Sequence, residues 1–231
     1  MSEVRVALVA EGPTDLVIIE AALRALLSKP FTLTLLQPEP TRPRFGGGWC
    51  GVLKWCREVA ARGTISLETD PTLASGGFEL FVIHTDADVA EASYSDGGAA
   101  VASAAQGLPA LPCSKPCPPP EDSANEIRAR LLAWLGMTTV GQKTVLCVPS
   151  KASEAWLAAA LFADSHELLQ ELECNLKVEA RLATLPMATR IKKKTREYQA
   201  KKAQITSAWG KVRRRCTQAE RFSTEVENAC P

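Results

Sequence analysis

Residues 4–15 read Val4-Arg5-Val6-Ala7-Leu8-Val9-Ala10-Glu11-Gly12-Pro13-Thr14-Asp15, and this run sets the architecture of the chain. Its apolar, β-branched first part predicts a buried strand over residues 4–10. Pro13 suits the first turn of a helix, because the amide hydrogen that proline lacks would have no partner there. The run therefore predicts a strand that turns directly into a helix, with Glu11 at the carboxyl end of the strand.

Strands and helices continue to alternate after this opening. Hydrophobic periodicity predicts further strands at residues 31–36, 79–84 and 144–148, and helices at residues 14–28, 49–61, 125–135 and 150–162. Glu20 and Arg24 are spaced to form an ion pair on the first helix. The strands lie too far apart in sequence for hairpins. The predicted fold class is therefore α/β, with a mostly parallel sheet flanked by helices.

Two segments interrupt or follow this alternation. Residues 90–122 are rich in proline and small residues, which predicts a loop insertion, either a lid or a disordered loop. Beyond residue 164 the pattern is helical and polar, so we predict a domain over residues 1–164 and a helical, basic appendage over residues 165–231. Gly46-Gly47-Gly48 lacks the following Lys-Ser/Thr of a phosphate-binding loop and is interpreted as a flexible loop near the active cleft.

The composition is that of a globular protein able to bury a large core, with 46% hydrophobic residues among 231. No run of about 18 apolar residues and no signal peptide are recognisable, which predicts a cytoplasmic protein with no membrane partner. The eight cysteines are scattered, so we expect reduced thiols. Only Cys113 and Cys117 have a spacing typical of zinc ligands, and no second pair completes the site, so zinc is not expected.

Charge is distributed unevenly along the chain. Residues 186–231 contain 12 basic and 4 acidic residues, whereas the rest contains 15 basic and 22 acidic residues. Such a basic block is typical of a surface that binds a polyanion, although a solvated helix face is the alternative. Tyr198 and Trp209 lie within it and would either stack on bases or pack against the domain. The candidate nucleic-acid-binding residues are Arg190, Lys192, Lys193, Lys194, Arg196, Arg213, Arg214 and Arg215.

A second acidic cluster follows the third predicted strand, in Phe81-Val82-Ile83-His84-Thr85-Asp86-Ala87-Asp88. Ligands of open α/β sheets bind beyond the carboxyl ends of the strands, so Glu11, Asp86 and Asp88 are expected to converge. Converging carboxylates repel one another unless a cation neutralises them. Mg²⁺ suits such a set, and Mn²⁺ is an alternative. His84 is interpreted as a packed strand residue and not as a ligand.

These motifs resemble the Toprim fold, whose signature is a glutamate after the first strand and an Asp-x-Asp after a later one. Glu-Gly-Pro-Thr-Asp at residues 11–15 is similar to the Glu-Gly-x-x-Asp/Glu of OLD-type Toprim nucleases and of their small stand-alone bacterial relatives. Glu154-Ala155-Trp156 resembles the Glu-x-Trp of those relatives, and Ala219-Glu220-Arg221-Phe222 weakly resembles their closing Ala-x-x-Phe. The main resemblance spans residues 4–163 and implies a Toprim-like sheet.

The resemblance implies a metal-dependent nuclease that hydrolyses nucleic-acid phosphodiester bonds. By this resemblance, Glu11 would be a metal ligand or the general base, and Asp86 and Asp88 would be metal ligands. Asp15 and Glu154 would be further acids able to hold a second ion. Lys151 lies close to the last motif and is a candidate for stabilising phosphate charge. The same resemblance implies a role in phage defence, with a partner ATPase or another defence-system subunit.

The sequence leaves alternatives open. The chain could cleave a structured RNA such as tRNA, transfer nucleotides at the same metal site, or serve as a non-catalytic or partner-activated subunit that binds nucleic acid or protein. Asp15 and Glu154 lie in first helical turns, where the helix dipole alone favours acids. Trp156 is expected in the core.

Overall fold

The computed structural model describes residues 3–41 and 44–230 of the chain. Its strands are β1 (Val4–Val9), β2 (Phe31–Gln37), β3 (Leu80–His84) and β4 (Thr144–Cys147). They form one entirely parallel sheet in the order β2-β1-β3-β4. The predicted α/β class is confirmed, and the arrangement is consistent with a Toprim-like fold.

Helices flank the sheet on both faces. The α-helices are α1 (Pro13–Leu26), α2 (Gly48–Ala61), α3 (Pro71–Ala74), α4 (Ala99–Ala104), α5 (Glu121–Leu135), α6 (Glu154–Leu161), α7 (Val178–Thr184), α8 (Thr195–Gln199), α9 (Lys202–Arg215) and α10 (Thr217–Ala229). Short 3₁₀ helices lie at Leu67–Thr69, Ala87–Glu91, Tyr94–Gly97, Glu167–Leu169 and Leu172–Cys174. Within the described ranges, no helix combines the length and the apolar character needed to cross a membrane.

The sheet is buried at its centre and partly exposed at one edge. β1 lies between β2 and β3, with Val6 opposite Leu33 on one side and Leu80 on the other. Every residue of β3 and β4 is buried, whereas β2 alternates between exposed and partly buried positions along most of its length. Parallel strands covered on both faces have continuous apolar sequences, which is why β1 and β3 could be predicted closely.

Alternate side chains of β1 point into two hydrophobic clusters on opposite faces of the sheet. Val6 and Leu8 belong to the cluster that contains residues of α1, α6, α9 and α10. Ala7 and Val9 belong to the cluster that contains residues of α2 and α5. The Glu20–Arg24 pair expected on α1 is present, with 2.8 Å between Oε1 and Nη2.

The C-terminal helices form one layer of the domain. Trp156 of α6 is fully buried, as predicted, and its ring centroid lies 5.5 Å from that of Trp209 and 5.8 Å from that of Phe222. Tyr198 is also buried in this cluster. The predicted boundary near residue 164 therefore marks a change in composition, because a single hydrophobic cluster extends across it.

The proline-rich insertion is folded against the domain and carries a disulfide. It contains α4 and the buried side chains of Val101 and Leu111. Cys117 is bonded to Cys174, so the expectation of reduced thiols was wrong for this pair. The bond also removes Cys117 as a zinc ligand. The spacing of cysteines could not indicate this pairing, since the two residues are 57 positions apart.

Candidate metal centre

The acidic residues predicted to converge lie at the carboxyl ends of β1 and β3, which are neighbours in the sheet. Glu11 follows β1, and Asp15 lies in the first turn of α1. Asp86 follows β3 and precedes the short helix Ala87–Glu91. Glu154 is the first residue of α6. The strand-to-helix turns therefore bring side chains from three parts of the sequence to one edge of the sheet.

Two of these side chains, together with His84, form a group suited to a metal ion. Potential ligand atoms of Asp15, His84 and Asp86 all lie within 4.8 Å of one another, and all three residues are buried. His84 was predicted to be a packed strand residue, and its side chain is indeed fully buried. Its Nε2 nevertheless lies 3.2 Å from Oδ1 of Asp86. The group could bind a cation.

Ser153 links two of the carboxylates. Its backbone N–H donates to Oδ1 of Asp86 at 3.0 Å, and its hydroxyl donates to Oδ1 of Asp15 at 2.6 Å. Ser153 was not predicted from the sequence. Its position immediately before Glu154, where a serine commonly caps a helix, was the available signal, but its hydroxyl bonds to Asp15 and does not cap α6.

Glu11 is held in a similar way. Its Oε1 accepts a hydrogen bond from the Thr85 hydroxyl and another, at 2.9 Å, from the backbone N–H of Asp86. Within residues 3–41 and 44–230, no hydrogen bond uses Oε2 of Glu11 or Oδ2 of Asp15 or Asp86. Each of the three carboxylates thus has one oxygen fixed by the protein and one available to a ligand.

The crowding of these acids makes their ionisation costly. Burial, followed by the charge of Asp86, raises the pKa of Glu11 from its usual 4.5 to about 8. Burial, followed by the charges of Asp15 and Glu154, raises the pKa of Asp86 well above its usual range. A bound divalent cation would favour the ionised forms and reverse both shifts.

Asp88 and Lys151 are joined through their backbones, because the Asp88 N–H donates to the Lys151 carbonyl at 3.0 Å, and the Lys151 side chain is buried. Asp88 is exposed and does not belong to the group of Asp15, His84 and Asp86. The surrounding protein still displaces water from its carboxylate, and this effect raises the pKa of Asp88 from its usual 3.8 to about 6. The positive charge of Lys193 acts in the opposite direction and limits the rise. The helix predicted over residues 150–162 would place Lys151 in its first turn, but α6 begins at Glu154 and Lys151 precedes it. The Nζ of Lys151 lies 3.0 Å from Glu91 Oε1.

Glu154 connects the centre to the C-terminal helices. It is fully buried, and its Oε1 accepts a hydrogen bond of 2.9 Å from the Tyr198 hydroxyl and lies 3.1 Å from Lys193 Nζ. Lys193 Nζ also lies 3.1 Å from Glu179 Oε2. Burial lowers the pKa of Lys193, but the charges of Glu154 and Glu179 more than offset this effect and raise it. Burial, followed by the charge of Glu154, raises the pKa of Tyr198.

A pocket of about 380 Å³ opens onto these residues. Acidic residues Glu11, Asp15 and Asp86 line it together with Lys193 and Lys194 of the basic block. Gly48 also lines it and donates its N–H to the Glu11 carbonyl at 2.7 Å, so the glycine-rich loop borders the cleft. The pocket therefore combines available carboxylate oxygens with two ammonium groups.

The remaining candidates for nucleic-acid binding differ in their surroundings. Arg213 is held by Glu220 and Glu227, at 2.7 Å and 2.5 Å, and Arg215 lies 3.4 Å from Asp164. The others are exposed, namely Arg190, Lys192, Arg196 and Arg214. The charges of these four side chains are therefore accessible to solvent and to a ligand.

Comparisons with known proteins add no family to this description. No family model matches the chain, and no curated protein or solved structure shows significant similarity to it.

Proposed function

We propose that the protein is a divalent-metal-dependent nuclease that hydrolyses phosphodiester bonds, with Mg²⁺ as the ion and Mn²⁺ able to replace it. The observation that carries the proposal is the convergence of Asp15, His84 and Asp86, with ligand atoms within 4.8 Å of one another, at the carboxyl ends of parallel strands. The order of acidic motifs that resembles the Toprim pattern supports it.

The donor set fits an oxygen-seeking ion. Asp15 and Asp86 each offer one carboxylate oxygen that no other described residue uses, and Mg²⁺ takes one or two carboxylates while keeping several waters. We assign His84 a supporting role when Mg²⁺ is bound, since Nε2 is placed to donate to Asp86 Oδ1 and would orient that carboxylate.

The other residues of the pocket have distinct roles in the proposed reaction. A bound ion would polarise the phosphoryl group and lower the pKa of an attacking water. Glu11 would accept a proton from that water once the bound ion has lowered its pKa and ionised it, since no other described residue uses its Oε2. Lys193 and Lys194, on the basic side of the pocket, would contact phosphate oxygens.

A cleavage assay tests the proposal. Labelled single-stranded DNA, double-stranded DNA and total tRNA would be incubated with Mg²⁺, Mn²⁺ or EDTA, which also separates DNA from structured-RNA substrates. We expect cleavage with either metal, none with EDTA, and a loss of at least about 100-fold for Asp86→Asn. The matched control is Asp122→Asn at an exposed carboxylate on α5. Activity that survives both EDTA and Asp86→Asn would contradict the proposal.

A second candidate function is nucleic-acid binding without cleavage, as a partner-activated subunit. The exposed side chains of Arg190, Lys192 and Arg196 favour it, because they can contact phosphates without the acidic centre. Binding that is unaffected by EDTA, with no cleavage of any substrate, would support this alternative. A role in phage defence and a partner ATPase rest on the Toprim resemblance alone.

A further inference from the structure

Lys193 enters the acidic centre from the C-terminal segment. Its Nζ lies 3.1 Å from Glu154 Oε1 and 3.1 Å from Glu179 Oε2, and its side chain lines the same pocket as Asp15 and Asp86. Among the described residues, its ammonium forms ion pairs within 4.0 Å with the carboxylates of Glu154 and Glu179, and with neither Asp15 nor Asp86.

The backbone around Lys193 is fixed by the fold. Ile191 is buried and its N–H donates to the Leu182 carbonyl at 3.0 Å. The Lys192 N–H donates to Glu197 Oε2 at 2.6 Å, and the Lys194 carbonyl accepts from the Glu197 N–H at 2.9 Å. Lys193 is therefore held between two anchored residues, and its position at Glu154 is built into the fold of the segment.

Glu154 is, with Asp15, one of the two acids that the Toprim resemblance assigned to a second ion. Its Oε1 is already engaged by Tyr198 and Lys193, and its buried Oε2 has no hydrogen-bond partner among the described residues. A second divalent ion at Glu154 would lie close to the Lys193 ammonium, and like charges repel one another strongly in a partly buried site. The positive charge that Glu154 requires is already supplied.

We propose that Lys193 takes the place of a second divalent cation, so that the centre binds one ion per chain, at Asp15 and Asp86, and uses the Lys193 ammonium where a two-ion nuclease has its second metal. The inference rests on the proposed function, since it presupposes a metal at the first position. In the reaction, the ammonium would contact a phosphate oxygen that a second ion would otherwise bind.

Metal stoichiometry tests the inference without relying on activity. Titration calorimetry with Mn²⁺, checked by counting free Mn²⁺ by electron paramagnetic resonance, should give one ion for the unmodified protein. Lys193→Gln removes the charge and keeps a hydrogen-bond donor for Glu154, so we expect a second, weaker ion to bind. Lys193→Arg keeps the charge and should bind one ion. Lys194→Gln, at the neighbouring lysine of the pocket, is the matched control and should also bind one.

The outcomes separate the inference from the proposed function. Two ions on the unmodified protein, or one ion on folded Lys193→Gln, would overturn the inference and leave the metal-dependent nuclease standing. No ion on the unmodified protein would overturn the proposed function itself. If Lys193→Gln does not fold, the unmodified protein and Lys193→Arg decide the question. Two ions on either of them would show that Lys193 does not take the place of a second divalent cation.

Discussion

At the scale of single residues, the candidate centre depends on side chains that hold the carboxylates. Ser153 does this for two of them, through its N–H to Asp86 and its hydroxyl to Asp15. A carboxylate whose second oxygen is fixed by the protein loses less freedom when it binds an ion, so its affinity is higher.

Ser153→Ala should therefore weaken metal binding. The substitution removes the hydrogen bond to Asp15 and keeps the N–H donor to Asp86, and we expect about a tenfold loss of Mn²⁺ affinity by calorimetry. Ser150→Ala is a matched control, because the buried Ser150 hydroxyl donates to Glu173 at 2.7 Å. An equal loss of affinity in both variants would show that the effect comes from general destabilisation.

The raised pKa of Glu11 predicts the pH dependence of stability in the metal-free protein. The pKa of Glu11 is about 8 in the folded state and near 4.5 in the unfolded state. The folded state therefore binds the Glu11 proton more tightly. The contribution of Glu11 to the free energy of unfolding is therefore greatest below about pH 4.5, falls as pH rises, and is lost above about pH 8.

Urea unfolding between about pH 5 and about pH 9 gives the free energy of unfolding of the metal-free protein and of Glu11→Gln. The difference between the two free energies measures the contribution of Glu11. Each unit of pKa shift corresponds to about 1.4 kcal/mol, so the difference should change by a few kcal/mol in favour of the variant as pH rises. Saturating Mn²⁺ should reduce the change. Parallel curves for the two proteins would be inconsistent with a buried, protonated Glu11.

At the scale of helices and strands, the main feature is the packing of the C-terminal helices against the rest of the domain. The cluster of Trp156, Trp209 and Phe222 joins α6 to α9 and α10. Trp209 is buried and donates its indole N–H to the Ser223 hydroxyl at 3.0 Å. Loss of this side chain would leave a cavity between the layers.

Trp209→Ala should destabilise the whole protein. We expect a loss of about 3–5 kcal/mol in the free energy of unfolding, with a single transition followed by both circular dichroism and tryptophan fluorescence. Met187→Ala, at a side chain that is 84% exposed, should change stability little. Two separate transitions would instead indicate that residues 165–231 unfold independently of the sheet.

Most of the helices and strands could be predicted because their apolar periodicity is strong. β1, β3 and α5 were expected within a few residues of their bounds. The short helices within residues 87–104 were missed, since each is too brief to show a period. Tertiary packing, which the local sequence does not specify, holds the proline-rich insertion and the Cys117–Cys174 bond in place.

The candidate centre was predictable only in part. Glu11 and Asp86 could be placed together because carboxyl ends of parallel strands meet at one edge, whereas Asp15 was added through the Toprim resemblance. Asp88, expected to converge with Glu11 and Asp86, is exposed and lies outside the group of Asp15, His84 and Asp86. Ser153 and Lys193 could not, because their partners are distant in sequence, with Ser153 lying 138 positions from Asp15. Contacts of this kind depend on the crossing of α6 and the C-terminal segment over the sheet, for which no local pattern exists.

At the scale of the whole molecule, the uneven charge of the sequence has a spatial counterpart. The basic block contributes Lys193 and Lys194 to a pocket whose other charged lining residues are acids, while Arg190 and Arg196 remain exposed nearby in the chain. Arg213, in contrast, is neutralised by two glutamates. Only some of the basic residues are therefore free to attract a polyanion.

This difference predicts which arginines contribute to nucleic-acid binding. Arg190→Ala with Arg196→Ala should weaken binding similarly for all sequences and reduce the steepness of its salt dependence, because fewer phosphate charges are neutralised. Arg213→Ala should change binding little. Fluorescence anisotropy with a labelled oligonucleotide across a salt series would measure both, and a larger effect of Arg213→Ala would contradict the assignment.

The position of the C-terminal layer also has a consequence during translation. The acidic residues Glu11, Asp15 and Asp86 leave the ribosome before Lys193, Tyr198 and the helices α9 and α10 that cover one face of the sheet. On the proposed function, a growing chain cannot assemble a working centre until this later segment has emerged, so ribosome-bound chains stalled before Lys193 should show no metal-dependent cleavage.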